Sequence, residues 1–209
     1  MTIDERIGSI MKKAEGLAGM TFQYSCGKFP PVWQPPLSEE KAGAFEEQNG
    51  IRLPKDYRRF ITTVAGAGTQ PFYGLYGLPG YFPGCSEGDA DVKKPFLYTV
   101  RNPLLIEKLT EEEYDKLFRG DEVQAGFLYL CHEGCGMYSI LIVNSRDSET
   151  CGTVWYYDLA NDAGILPLLH PVSHSTMSFL DWLEYYVDRT LELGEKEFFS
   201  YGQLAGIVT

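Results

Sequence analysis

The segment Phe45–Gly68, FEEQNGIRLPKDYRRFITTVAGAG, constrains the fold more than any other part of the chain. It spells a helix end, a tight break and a second helix. Asn49-Gly50 supplies the break, because glycine takes the left-handed conformation at a helix C-terminus without a Cβ penalty, and Ile51 can then fold back onto Phe45. Leu53-Pro54-Lys55-Asp56-Tyr57 opens the next helix: proline suits the first helical position, where it has no N–H to leave unpaired and its φ is preset. Tyr57, Phe60, Ile61 and Val64 recur at i, i+3, i+4 and i+7, which makes one apolar face. Gly66-Ala67-Gly68 ends that helix. None of these residues is an obvious reactant, so the segment speaks to fold and not to a reaction.

The flanking sequence supports the same helical layer. Residues 2–17 predict an amphipathic helix, with Thr2 and Glu5 at capping-box spacing and Ile3, Ile7, Ile10, Ala14 and Leu17 on one face. Residues 18–37 read as a proline-rich connector packed through Phe22, Tyr24, Phe29 and Trp33; its two Pro-Pro pairs also suit a polyproline ligand. Ser38 caps the helix that runs into Phe45, with Glu39 and Glu40 in its first turn. Thr110 and Glu113 form another capping box, ahead of Tyr114, Leu117 and Phe118 and a stop at Gly120. Ser178 and Asp181 form a third. They open a closing helix whose broad face holds Phe179, Trp182, Leu183, Tyr186, Val187 and Leu191. A tail follows Gly194.

Between the last two helices the period changes. Gly126–Cys131, Met137–Val143 and Thr153–Tyr157 are short aromatic and β-branched runs bounded by turn residues, the pattern of an antiparallel meander. Ile165–Leu169 adds an edge strand, since Pro167 tolerates only an edge or a strand end, and such an edge could pair between chains. A short strand is predicted near Phe72–Leu78, a short strand or extended entry over Lys94–Val100, and a short helix over Pro103–Lys108. The order of helices, strands and a final helix predicts an α+β fold: one domain, with helices packed around an antiparallel sheet. Residues 1–37 are an elaboration, 38–193 the domain, and 194–209 a tail.

Charge narrows the function classes. Lys and Arg number 18 against 29 Asp and Glu, a net charge of −11. Such a surface repels nucleic acid and anionic membrane and favours a basic protein partner, although solubility alone accounts for acidity in many chains. No apolar run reaches membrane-spanning length, and Met1–Lys13 lacks the pattern of a secretory signal. The scattered cysteines, Cys26, Cys85, Cys131, Cys135 and Cys151, then fit free thiols in a reducing cytoplasm.

Reactive chemistry finds little support. Cys131-His132-Glu133-Gly134-Cys135 joins two strands and, with Cys151, could supply zinc ligands, but it lacks the second paired unit of most zinc sites. Cys131 and His132 point to opposite faces if they share a strand, which opposes a thiol–imidazole pair between them; Cys135 and His132 across a turn are the other pairing. His170 and His174 belong to no motif. Leu75–Gly84 lacks the Lys-Ser/Thr ending of a phosphate loop. No metal, cofactor or catalytic residue is therefore assigned. The Gly- and aromatic-rich stretch after Gly68 has two readings: a binding surface, or a cover for the sheet edge beneath it.

With these residues in view, the chain resembles the SUKH superfamily, in particular its Smi/Knr branch. The resemblance rests on Ile51, Leu53, Pro54, Tyr57 and Phe60 with the Ala65-Gly66-Ala67-Gly68 turn, where the family often has Asn-Gly-Gly. It continues through Gly134-Cys135-Gly136, Leu141-Ile142-Val143 and Gly152-Thr153-Val154-Trp155, and through the Ser-Phe-Leu-x-Trp-Leu start of the last helix. The resemblance implies a non-enzymatic protein-binding module. Bacterial members act largely as immunity proteins that neutralise toxins by direct binding, and fungal members regulate cell-wall glucan synthesis. A basic toxin suits the acidic charge. The expected contact surface is concave, acidic and aromatic-rimmed: Tyr73, Tyr76, Tyr81 and Phe82 with Glu133 and Asp147.

Overall fold

In the computed structural model the described residues are 1–18, 20, 32–82, 90–119, 123–194 and 197–208. Phe22, Tyr24, Phe29, Cys26, Cys85 and Gly120 lie outside them. The elements are α1 (Ile3–Ala14), α2 (Glu39–Asn49), α3 (Lys55–Thr63), β1 (Leu104–Leu105), α4 (Glu111–Arg119), β2 (Phe127–Gly134), β3 (Met137–Ile142), β4 (Val154–Asp158), β5 (Gly164–Pro167) and α5 (Phe179–Leu193). The strands form one antiparallel five-stranded sheet in the order β1-β5-β4-β3-β2, and the helices surround it in a single-domain α+β arrangement.

The sheet is apolar on both faces. Leu128, Leu130, Leu141, Val154, Tyr156 and Leu168 pack against α1, α2, α3 and α5. Phe127, Ile140, Ile142, Trp155, Tyr157 and Ile165 face the other way and are covered by Phe96, Val100, Leu104 and Ile106 from the segment that crosses before β2. A bulge in β2 between Tyr129 and Cys131 turns both Leu130 and Cys131 toward the helices. The strand then alternates, so His132 faces the opposite side, as its neighbour position requires.

The helix termini form as predicted. Capping boxes close the starts of α1 and α5, and Thr110 and Glu113 exchange the corresponding bonds before α4. Gly50 adopts φ 65° and the Ile51 N–H donates to the Glu46 carbonyl, which turns Ile51 into the core beside Phe45. Pro54 stands one position earlier than expected, as the N-cap of α3, and that helix stops at Thr63 with Val64 as its half-buried cap. Side chains of the same segment tie the layer together. The buried Glu46 carboxylate accepts from the Leu53 N–H at 2.9 Å and Arg58 Nε at 3.1 Å, and Asp56 accepts from the Leu180 N–H of α5 at 3.1 Å.

Several expectations are corrected. No strand forms over Phe72–Leu78: this loop turns at Pro71–Gly74 and hangs on the outer edge of β2, with Tyr73 N–H donating to His132 O and Tyr76 N–H to Leu130 O. Of its two readings, Lys94–Val100 takes the extended entry and not the strand: it makes only isolated bridges at Phe96 and Thr99, because it crosses the sheet instead of joining it. Pro103–Lys108 holds β1 and a single 3-10 turn where a helix was expected. Ile165–Leu169 is no open edge. β1 pairs with its start, and at its end the Leu169 and Gly206 N–H groups bond to Leu204 O and Pro167 O.

The tail is the largest revision. Residues 197–208 are built into the fold: Phe199 and Tyr201 are buried in the helix-side core, and the Tyr201 hydroxyl donates to Trp182 O at 2.6 Å. Phe72, held at φ 47°, packs against Tyr186, Phe198, Phe199 and Tyr201 with ring centroids 5.2–6.1 Å apart. A bulky residue in the left-handed region is strained, and this cluster supplies the packing that holds it there. The N-terminal helix also belongs to the core. Its Ile7, Ile10 and Ala14 are buried with α5, and Arg6 pairs with Asp181 and Glu184 at 2.6 and 2.9 Å. Replacing Tyr201 with alanine is expected to cost about 3–5 kcal/mol, the usual range for emptying a buried aromatic site. Removing residues 195–209 should cost at least as much. Chemical denaturation of both variants checks this, and a tail that only decorates the fold would leave the midpoint unchanged.

Candidate protein-binding surface

The six surface residues expected from sequence separate into four places, one of them inside the core. Tyr73 and Tyr76 sit on the loop that covers β2. Tyr73 is 43% exposed, its ring 5.5 Å from His132, which in turn stacks on Tyr138 at 4.7 Å. Tyr81 lies over α2 and donates its hydroxyl to Lys41 O at 3.3 Å. Phe82 is half-buried, its ring filling the space where side chains on Gly66 and Gly77 would stand, with Cβ positions only 2.1 and 2.2 Å from ring atoms. Gly66 of the signature turn is therefore there to admit a ring. Asp147 lies beyond the far end of β3 from Tyr73, its carboxylate turned into its own loop by Thr150 Oγ1 at 2.5 Å and the Glu149 N–H.

Glu133 is not a surface residue. It is 3% exposed and faces the helix-side core, where it accepts from Ser200 Oγ at 2.9 Å, the Tyr201 N–H at 3.0 Å and Ser139 Oγ at 3.2 Å. Ser139 Oγ also accepts from Trp182 Nε1, so a polar chain joins β2, β3, α5 and the tail. The sequence places Glu133 beside a turn and suggests exposure; the alternation after the β2 bulge is what turns it inward.

The Cys131–Cys135 cluster is likewise taken apart. Cys131 is buried among the helices, and desolvation, followed by the Glu133 charge, pushes its thiol well up, so it stays protonated. His132 is on the other face, and its Nε2 accepts from the Gly136 N–H at 3.3 Å. Cys135 is exposed at φ 50° and, with Gly136 at φ 77°, forms the two-residue hairpin turn between β2 and β3. Cys151 is exposed in the connection beyond the other end of β3. Among the described residues no three His, Cys, Asp or Glu side chains converge as metal ligands. No helix among them is long and apolar enough to cross a membrane.

The surface that combines acid, aromatics and concavity is α2. Glu40, Gly43, Ala44 and Glu47 form one i, i+3, i+4, i+7 stripe, and line a groove of about 800 Å³ with Gly50, Ile51 and Arg52. On the other flank a groove of about 440 Å³ is lined by Gln48, Asn49, Pro79, Tyr81 and Asp91. Tyr81 bridges from the aromatic loop to the helix. Glu40 and Glu47 are exposed and form no ion pair among the described residues, whereas Glu39 and Glu46 are held by Arg58. The stripe is the signal that sequence reading passed over: two small residues between two acids on one helical face.

The family comparison agrees with this architecture. A family model described as SMI1 / KNR4 family (SUKH-1) matches residues 36–184, more than half of the chain. The protein is a member of the SUKH superfamily, and of its SMI1/KNR4 family in particular. Members of this family are generally non-enzymatic modules that bind protein partners. No curated protein matches the chain significantly.

Glu133 gives a pH dependence with a definite sign. Burial pushes its carboxyl up to about 7, helped by the nearby Asp158 charge and opposed by the bonds from Ser200, Tyr201 and Ser139. A folded-state pKa above the unfolded value, about 4.3, means that the native chain holds a proton the unfolded chain has lost between those values. This group therefore stabilises the fold fully below about pH 4 and progressively less as pH rises through 7. A Glu133→Gln variant should lose that component. The difference in unfolding free energy, variant minus wild type, should rise between pH 5 and 8; a flat difference would contradict the assignment.

Proposed function

We propose that this protein is a cytoplasmic immunity protein that neutralises a toxin by covering it, with the α2 stripe as the centre of the contact. One observation carries the reading. The cations that join the helices are engaged in ion pairs, while Glu40 and Glu47 form none among the described residues and stand on an exposed helix between two grooves. Arg6 and Lys13 join α1 to α5, Arg58 joins α3 to α2, and Arg59 joins α3 to Asp4. The small side chains of Gly43 and Ala44 let a partner backbone or aromatic side chain approach closely between the two carboxylates. Tyr81 adds a rigid amphipathic ring beside them. A basic toxin meets this face with complementary charge, which speeds encounter and fixes register more than it adds affinity.

The product of the adjacent gene is the partner to test. Expected are direct binding to that product, protection of cells from it, and an association rate that falls with added salt. Glu40→Lys together with Glu47→Lys should slow association by about tenfold or more while the fold is kept. An adjacent cluster for cell-wall synthesis, with no toxin and no such binding, would instead favour the regulator role. Binding that ignores both lysine substitutions would move the interface off α2.

A further inference from the structure

A third groove lies at the opposite end of the sheet from Tyr73. It holds about 520 Å³, between Pro95–Thr99 and the loop that leaves β3. Its floor is rigid: Phe96 bridges to Ser145, donates its N–H to Asn144 O at 2.8 Å, and packs edge-on to Trp155 at 5.0 Å. Above this floor Leu97 is 56% exposed, in a chain whose other large apolar residues are mostly buried. The Leu97 backbone forms no hydrogen bond among the described residues, because Phe96 makes the bonds to the facing loop.

The charges of the groove are asymmetric. Asp147 is satisfied within its own loop by Thr150 and Glu149. Among the described residues Arg101 is held only by the exposed Glu149, at 3.2–3.4 Å, a solvent-screened surface contact. The Arg146 side chain is exposed and makes no hydrogen bond or ion pair among the described residues. An apolar floor, an exposed leucine and an uncommitted guanidinium are the elements that hold an apolar side chain and a carboxylate side by side.

We propose that this groove docks an extended segment of a partner protein in which an apolar side chain stands next to an acidic one. The apolar side chain lies against Leu97 and Tyr98, and the carboxylate takes a bidentate position on Arg146. The net charge of −11 does not forbid this. At physiological salt the screening length is about 8 Å, so the local groups decide what the groove attracts, and of Arg101, Arg146, Asp147 and Glu149 only the Arg146 side chain has no partner among the described residues. The site is distinct from the α2 face and does not depend on the immunity reading.

Fluorescence anisotropy with a short, end-capped, labelled peptide of alternating leucine and aspartate tests it. Saturable binding is expected, with Arg146→Glu and Leu97→Ser each weakening it by about tenfold or more, while the matching leucine–asparagine peptide binds about tenfold more weakly than the aspartate one. Glu40→Lys with Glu47→Lys should leave it unchanged, which separates this site from the α2 surface. Arg146→Lys should weaken binding less than Arg146→Glu. The proposal is overturned by an absence of saturation up to millimolar protein, by equal binding of the two peptides, or by an Arg146→Glu variant that is folded by circular dichroism and binds normally. Displacement of the peptide by low-millimolar inorganic phosphate would also overturn it, because the site would then be one for anions at large.

Discussion

Both faces of the central sheet are apolar, and the rest of the structure follows from the need to cover both. All five residues of β4, Val154–Asp158, are buried, a pattern that a half-exposed strand cannot show. Helices α1, α2, α3 and α5 cover one face, and the crossing segment with α4 covers the other. The N-terminal helix is therefore part of the cover: without it, α5 would lose the packing of Ile7, Ile10 and Ala14 along its outer side. The same demand explains why residues 90–108 carry so little regular structure. They are a lid laid across strands, held by Phe96, Val100, Leu104 and Ile106, and a lid needs anchors more than it needs a ladder.

Covering faces leaves the edges, and each is closed by a different device. The loop after α3 supplies two backbone bonds to β2, while β1 and the tail share the edge of β5. An uncovered edge is a template for unwanted pairing, so both devices protect against self-association. They also decide where a partner can bind. Tyr76 and Phe82 serve the edge and the signature turn, and Glu133 serves the tail. What remains outside is Tyr73 at the His132 corner, the α2 stripe with Tyr81, and the groove at Leu97.

The parts of this fold that sequence reveals are those specified within a few residues. Capping boxes at Thr2, Thr110 and Ser178 and the left-handed Gly50 are local hydrogen-bond chemistry, and each appears where its residues predict it, whereas β2 runs three residues past the expected end at Cys131. The meander reads correctly for the same reason, since its runs are short and its turns are marked. The misread segments depend on distant partners. Phe72–Leu78 has strand-like composition, but its bonds go to the far side of β2. The tail has no helical period because Phe199 and Tyr201 fill a gap shaped by Trp182 and Tyr186, which no window of sequence contains. Glu133 and Asp147 looked alike on turns. A one-residue bulge buries the first, and a Thr three positions on absorbs the second.

The acidic composition takes on a more specific meaning once its members are placed. Glu46, Asp56 and Glu133 act inside the fold as acceptors for Leu53, Leu180 and Tyr201, where a hydroxyl or amide would give fewer or weaker bonds. Asp4, Asp181, Glu184 and Asp188 bind the helical layer through Arg59, Arg6 and Lys13. These pairs consume cations as well as anions, so the excess of acid over base is carried to the surface by residues outside them. Recognition then depends less on the total of −11 than on where unpaired charge meets concavity. Glu40 and Glu47 meet it with the negative sign, and Arg146 with the positive. On the two proposals together, a partner that reached both faces would gain by effective concentration more than either contact supplies alone.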